Sequence, residues 1–292
     1  MFAQAREAEE RGDEVERLSA EQAVILDAAR LLNRIEVRGG AGSGKTWLAV
    51  EQARRLSRSG RRVALTCYSR GLAAWLQRRV ASFPRKERPA YVGTFHNLGV
   101  EWGAPTGSDD DSHFWEVELP ATMARLAHDL PVKQRFDAII VDEAQDFADS
   151  WWDPLVGALV DEERGGLFVY SDENQRIFAR FGRPPVPLVP LVLDHNLRNT
   201  KQIHAAFGPL APSRMYARGG EGPEVRFVAV SADEALDVAA EAEQRVVVSP
   251  SPRCRNRGCS CDGRCSSSRP STDFWRPRIA GPFCCWRGAA KT

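Results

Sequence analysis

The sequence predicts an α/β fold, a parallel sheet flanked on both faces by helices, and three observations carry that prediction. Short apolar runs at 35–38, 62–67, 91–94, 137–141, 167–171 and 189–194 alternate with longer stretches of helical character. These runs are too continuously apolar for a half-exposed sheet and read as strands buried on both faces. Right-handed crossovers then bring the segments that follow the strands to a single edge, where the sequence concentrates its glycines and acids.

Taken in order, residues 1–18 form a charged extension or helix of Ala, Glu and Arg. Helices are expected at about 20–33, 45–59, 70–82, 113–128, 150–163, 199–207 and 232–244. A small insertion is expected at about 100–130, and it includes the acidic turn TGSDDDS at 106–112. Four prolines in the seven residues 184–190 exclude a helix and suggest a linker. The expected organisation is therefore one nucleotide-binding unit at 19–188, the start of a second at 189–245, and a tail at 246–292.

The 292 residues carry a formal net charge of only +1, so no global basic field marks a nucleic-acid partner. The charge is unevenly spread. Residues 246–292 hold nine Lys and Arg against two acids, which leaves residues 1–245 at −6. A basic stripe of Arg70, Arg78, Arg79, Arg85 and Lys86 reads equally well as a strand contact or a solvated helix face. The first residues lack the apolar stretch of a signal peptide, and no run is long enough to span a bilayer, so a cytoplasmic protein without a membrane partner is expected.

Two motifs dominate the chemistry. GGAGSGKT places Gly39, Gly40, Ala41, Gly42, Ser43, Gly44, Lys45 and Thr46 between a strand and an amphipathic helix. Its glycines let successive N–H groups turn toward phosphate oxygens, and the helix adds the positive end of its dipole. Lys45 would reach the β- and γ-phosphates, and the Thr46 hydroxyl would ligate Mg2+. DAIIVDEAQ delivers Asp142 and Glu143 from a buried strand to the same edge. Asp142 is suited to hold Mg2+, and Glu143 to orient or deprotonate the attacking water. The plainer alternatives are a glycine-rich turn and an acid pair that caps the next helix. ATP with Mg2+ is the expected cofactor set, on a P-loop NTPase fold.

With its spacing, this pair of motifs resembles the Rep/UvrD-type superfamily-one DNA helicases, and further segments match in the same order. Gln22, 17 residues before Gly39, stands where that family reads the adenine edge. LTCYSRGLAAWL at 65–76, with Tyr68, resembles the family's segment on single-stranded DNA; Ser69 stands where the family often has asparagine. TFHNLG, with Thr94, Phe95 and His96, resembles a second DNA-side motif. SDENQRIF resembles the motif whose glutamine, here Gln175, senses the γ-phosphate while an aromatic, here Phe178, stacks on a base. HNLRNTKQI resembles the segment that opens a second motor domain, with Arg198 as its arginine finger. The match is similar to bacterial helicases often attached to a nuclease-related domain. The resemblance implies two RecA-like domains, the second incomplete here, and 3′–5′ movement on single-stranded or partly duplex DNA. It also implies a possible protein partner that supplies the rest of the motor. Read without the resemblance, Phe95, His96 and Phe178 would be core residues, Gln22 an exposed glutamine and Arg198 a surface ion pair.

Beyond Arg245 the pattern changes. Six cysteines and nine basic residues fall in 47 positions without helical period. Cys254, Cys259, Cys261 and Cys265 form a candidate thiolate set, but their spacing departs from the paired pattern of zinc modules. The composition fits a disordered or frameshifted tail better, because it cannot bury a core.

Overall fold

The computed structural model describes residues 21, 23–108, 110–172, 182–210, 215–222 and 224–225. The expected helix at 232–244 and the cysteine-rich tail lie outside them. Within the described residues, six parallel strands form one sheet in the order β3-β2-β4-β5-β1-β6. These are β1 (Arg34–Gly39), β2 (Val63–Cys67), β3 (Tyr91–Thr94), β4 (Ala138–Val141), β5 (Gly166–Ser171) and β6 (Val189–Leu193). The α/β parallel sheet expected from the sequence is the observed fold.

The alternation of side chains along each strand divides the core in two. Ile35, Val37, Val63, Leu65, Ile140, Phe168 and Tyr170 face a cluster completed by three helices, α1 (Val24–Ala28), α2 (Lys45–Arg58) and α3 (Arg70–Ala81). Ala64, Ile139, Val141, Leu167 and Val169 face the opposite cluster, covered by α4 (Phe95–Glu101), α5 (Leu119–Asp129) and α6 (Trp152–Gly157). Every residue of β2, β4 and β5 is buried, which is why those runs read as continuously apolar.

Local chemistry sets the helix starts. The Ser69 hydroxyl accepts from Leu72 N at 3.4 Å and begins α3, and the Thr94 hydroxyl accepts from Asn97 N at 3.1 Å and begins α4. The helix expected at 150–163 stops at Gly157. Leu159 bridges Phe136, with Phe136 N donating to Ala158 O at 2.9 Å and Val160 N to Phe136 O at 2.8 Å. Asp161 Oδ1 then accepts from the N–H groups of Glu163 and Arg164 at 2.9 and 2.8 Å. That Asx-type turn offers the backbone a competing arrangement. The insertion opens with a π-helical turn, Phe114–Glu118, before α5.

One expected boundary is corrected by the sheet. Strand β6 was placed at the start of a second unit, yet it pairs with β1 from Ile35↔Val189 to Gly39↔Leu193. The first sheet therefore extends through Leu193. Beyond it, β7 (His195–Asn196) pairs with β8 (Tyr216–Ala217), flanking α7 (Lys201–Phe207). Among the described residues no helix is long and apolar enough to cross a membrane.

Candidate nucleotide and strand site

The loops after β1, β2, β3, β4 and β5 all emerge at one edge of the sheet, and the residues singled out from the sequence gather there. In the phosphate loop, Gly42 and Gly44 hold φ of 80° and 85°, a left-handed region that strains other residues. A Cβ on Gly39 would lie 2.6 Å from Ser43 Oγ, and one on Gly42 would lie 2.6 Å from Asn196 Oδ1. Only glycine fits these positions. Ser43 Oγ is itself buried without a hydrogen-bond partner. The loop thus has the shape and the spare donor of a cradle for an oxyanion.

Lys45 is 6% exposed, and its ammonium donates to Gly39 O at 2.8 Å, Gly40 O at 3.1 Å and Asp172 Oδ2 at 3.1 Å. Asp172, at the end of β5, is 2% exposed in its side chain, so this ion pair is held away from water. Asp142 is fully buried; its Oδ1 accepts from Glu143 N at 3.1 Å, while Oδ2 has no hydrogen-bond partner. Burial, and then the charge of Glu143, push its carboxyl up to about 7, against the opposing pull of the Thr46 hydroxyl and the Lys45 ammonium. An orphaned carboxylate oxygen beside a threonine hydroxyl is a hard, all-oxygen donor set, and these residues fit a Mg2+ ion.

Glu143 is the one described non-glycine residue with positive φ, at 54°. Its carboxylate is held by Gln145, whose Nε2 donates to Glu143 Oε2 at 2.5 Å. Gln145 Oε1 in turn accepts from Asp172 N at 2.9 Å. Glu143, Gln145, Asp172 and Lys45 therefore form a continuous polar chain from the β4 acids to the phosphate loop. Gln145 and Asp172 were not among the residues singled out, although both lie inside quoted motifs.

The HNLRN segment also reaches the loop. Leu197 N and Arg198 N donate to Gly42 O at 2.9 and 3.2 Å, and Asn196 Oδ1 braces the turn by accepting from Asn199 N at 3.0 Å. Arg198 is exposed beside the cradle. Gln22, Gln175 and Phe178 lie outside the described residues.

At the same edge, after β2 and β3, lies a cleft of about 620 Å3 lined by Tyr68, Arg70, His96, Trp115, Glu116 and Trp151, among others. The His96 ring meets Tyr68, Trp115 and Trp151 edge-on at centroid distances of 5.9, 5.2 and 4.8 Å. One of the expected strand contacts is corrected. Phe95 is fully buried and stacked on Trp151 at 4.8 Å and 8°, so it has no face to offer a base. Thr94, 3% exposed, caps α4 with its hydroxyl and also lines the cleft. Phe95→Ala is expected to cost about 3–5 kcal/mol of stability, read from the urea midpoint, because the lost ring leaves a core cavity. A cost near that of an exposed-residue change would return Phe95 to the surface.

The model of a protein family described as AAA domain matches residues 21–180. No curated protein sequence matches the chain. Among solved structures, the PRRSV helicase is similar at a TM-score of 0.39 and 12% identity, over 68% of this chain and 38% of that one. The arterivirus nonstructural protein 10 (helicase) gives 0.35 and 16%, over 68% and 45%. Bacteroides Pif1 bound to ssDNA gives 0.27 and 19%, over 68% and 36%. The chain spans less than half the length of each of these three.

Proposed function

The chain belongs to the AAA domain family, whose model covers more than half of it, and from that premise we propose that it is an ATP-hydrolysing helicase or translocase of the Rep/UvrD type. Its track is single-stranded DNA, followed in the 3′–5′ direction that the sequence resemblance implies. The observation that carries the reading is the meeting of three separate segments on one cradle: Lys45 from the phosphate loop, Asp142 and Glu143 from β4, and the Leu197–Arg198 backbone from the segment after β6.

The side chains have distinct roles in this reading. Lys45 and the first turn of α2 bind the β- and γ-phosphates. Thr46 and Asp142 would hold Mg2+, which when bound neutralises phosphate charge. Glu143, fixed by Gln145, accepts the proton of the attacking water. Arg198 lies beside Gly42 and supplies cationic stabilisation to the charge that develops on transfer. Gln22, Gln175 and Phe178 keep the adenine, γ-phosphate and base-stacking roles that the resemblance implies. Tyr68 and His96 line the strand cleft at the same edge. A second RecA-like domain beginning after Leu193, completed in this chain or by a partner protein, would close on the nucleotide.

The test is ATP turnover by the purified chain, with and without single-stranded DNA or RNA oligonucleotides. Turnover that rises on adding DNA supports the coupled motor. Tight nucleotide binding without turnover, whatever strand is added, would replace it with a binding module that needs a partner to complete its site.

A further inference from the structure

The insertion expected at about 100–130 carries a π-helical turn, Phe114–Glu118, that supplies one wall of the strand cleft. We propose that Trp115 is a nucleobase-binding residue, and that the cleft takes an unstacked base rather than the phosphate backbone. This rests on the strand-binding reading above and adds to it a residue and a mode of contact.

Four features support the assignment. Trp115 is held in place from two sides. Its indole Nε1 donates to Ser108 O at 2.7 Å, and its backbone N donates to Asp111 O at 3.3 Å. The turn that carries it is tied down as well: Asp111 Oδ1 accepts from Phe114 N at 3.0 Å, and the Ser150 hydroxyl donates to Glu116 O at 3.1 Å. A π-helical turn departs from regular helix geometry and is common where a chain must aim a side chain at a site. The ring is only half-buried although it meets His96 edge-on at 5.2 Å and 81°. A tryptophan fixed in position with a surface left open is a ready stacking platform.

The chemistry of the cleft points to a base. Tyr68, His96 and Trp115 give it aromatic walls over the buried Trp151, and among its described lining Arg70 is the one arginine or lysine and Glu116 the one carboxylate. A lining with as many acids as bases does not favour a phosphate inside, whereas aromatic faces accept any base by stacking. Its volume of about 620 Å3 lies within the range of about 300–1,000 Å3 typical of small-ligand clefts. Arg70, exposed at the start of α3, is placed to meet the adjoining phosphate at the mouth.

The experiment measures binding of a fluorescein-labelled single-stranded oligonucleotide by anisotropy, for the full chain and its Trp115→Ala, Trp115→Phe and Tyr68→Ala variants. Trp115→Ala is expected to weaken binding roughly 5- to 150-fold, the range of losing one base stack. Trp115→Phe should retain most of the affinity, and a fluorescent ATP analogue should bind all variants alike. An oligonucleotide with abasic sites should bind the unmodified chain as weakly as the normal strand binds Trp115→Ala. Normal strand binding by Trp115→Ala beside a clear loss in Tyr68→Ala would overturn the proposal and leave the strand-binding reading standing. Equal affinity for abasic and normal strands would overturn it even if Trp115→Ala failed to fold. No strand binding by the unmodified chain would overturn both.

Discussion

Lys45→Ala is expected to abolish nucleotide turnover, with a loss of at least about 10^2–10^3-fold, the range for removing one donor that stabilises developing charge. The ammonium is the cradle's only buried cation among the described residues, and its three acceptors hold it at the mouth of the phosphate loop. The same substitution has a second consequence. It removes the Lys45 ammonium from Asp172, which is 2% exposed in its side chain. Breaking a buried pair from one side costs about 3–5 kcal/mol, because a charge is left without compensation. A loss of activity could then be mistaken for a loss of fold. The double variant Lys45→Ala with Asp172→Asn separates the two effects: it should recover much of the stability, read from the thermal midpoint, and none of the turnover. Normal turnover by Lys45→Ala would remove the phosphate loop from the mechanism.

The residues that were legible in the sequence are those whose role is fixed by neighbours along the chain. GGAGSGKT needs only its own backbone and the following helix to make a cradle, and DEAQ needs only the strand that carries it. Strands β2, β4 and β5 were visible because both of their faces are buried. Strand β1 was visible too, although Glu36 and Arg38 interrupt its apolar pattern; the two pair with each other at 2.6 Å, and Ser171 Oγ donates to Glu36 at 3.3 Å. What stayed hidden depends on strand order. Gln145 reaches Asp172, 27 residues away, only because β4 and β5 are neighbours in the sheet. Trp115 reaches His96 only because the insertion folds back over the loops after β2 and β3. Phe95 was misassigned for the converse reason. An aromatic in a motif looks available to a ligand until packing shows its ring pressed flat against Trp151.

Asp142 should make the stability of the nucleotide-free chain fall as pH rises. Burial and the Glu143 charge raise its carboxyl from an ordinary value of 3.8 to about 7, so the folded state binds the proton more tightly than the unfolded chain does. Between about pH 4 and pH 7 the unfolded chain has already lost this proton while the folded chain keeps it. The contribution to stability is therefore full below the unfolded value and gone above the folded one, with a swing of at most about 4 kcal/mol. A divalent cation needs the ionised form, so it competes with the same proton. Mg2+ should bind more tightly as pH rises through 7 and should restore at pH 8 the stability that ionisation removed. Asp142→Asn keeps the shape and removes both effects: its thermal midpoint should be less sensitive to pH across this window and should not respond to Mg2+. A variant that matched the unmodified chain in both pH dependence and response to Mg2+ would show that another group carries the proton and another residue holds the metal.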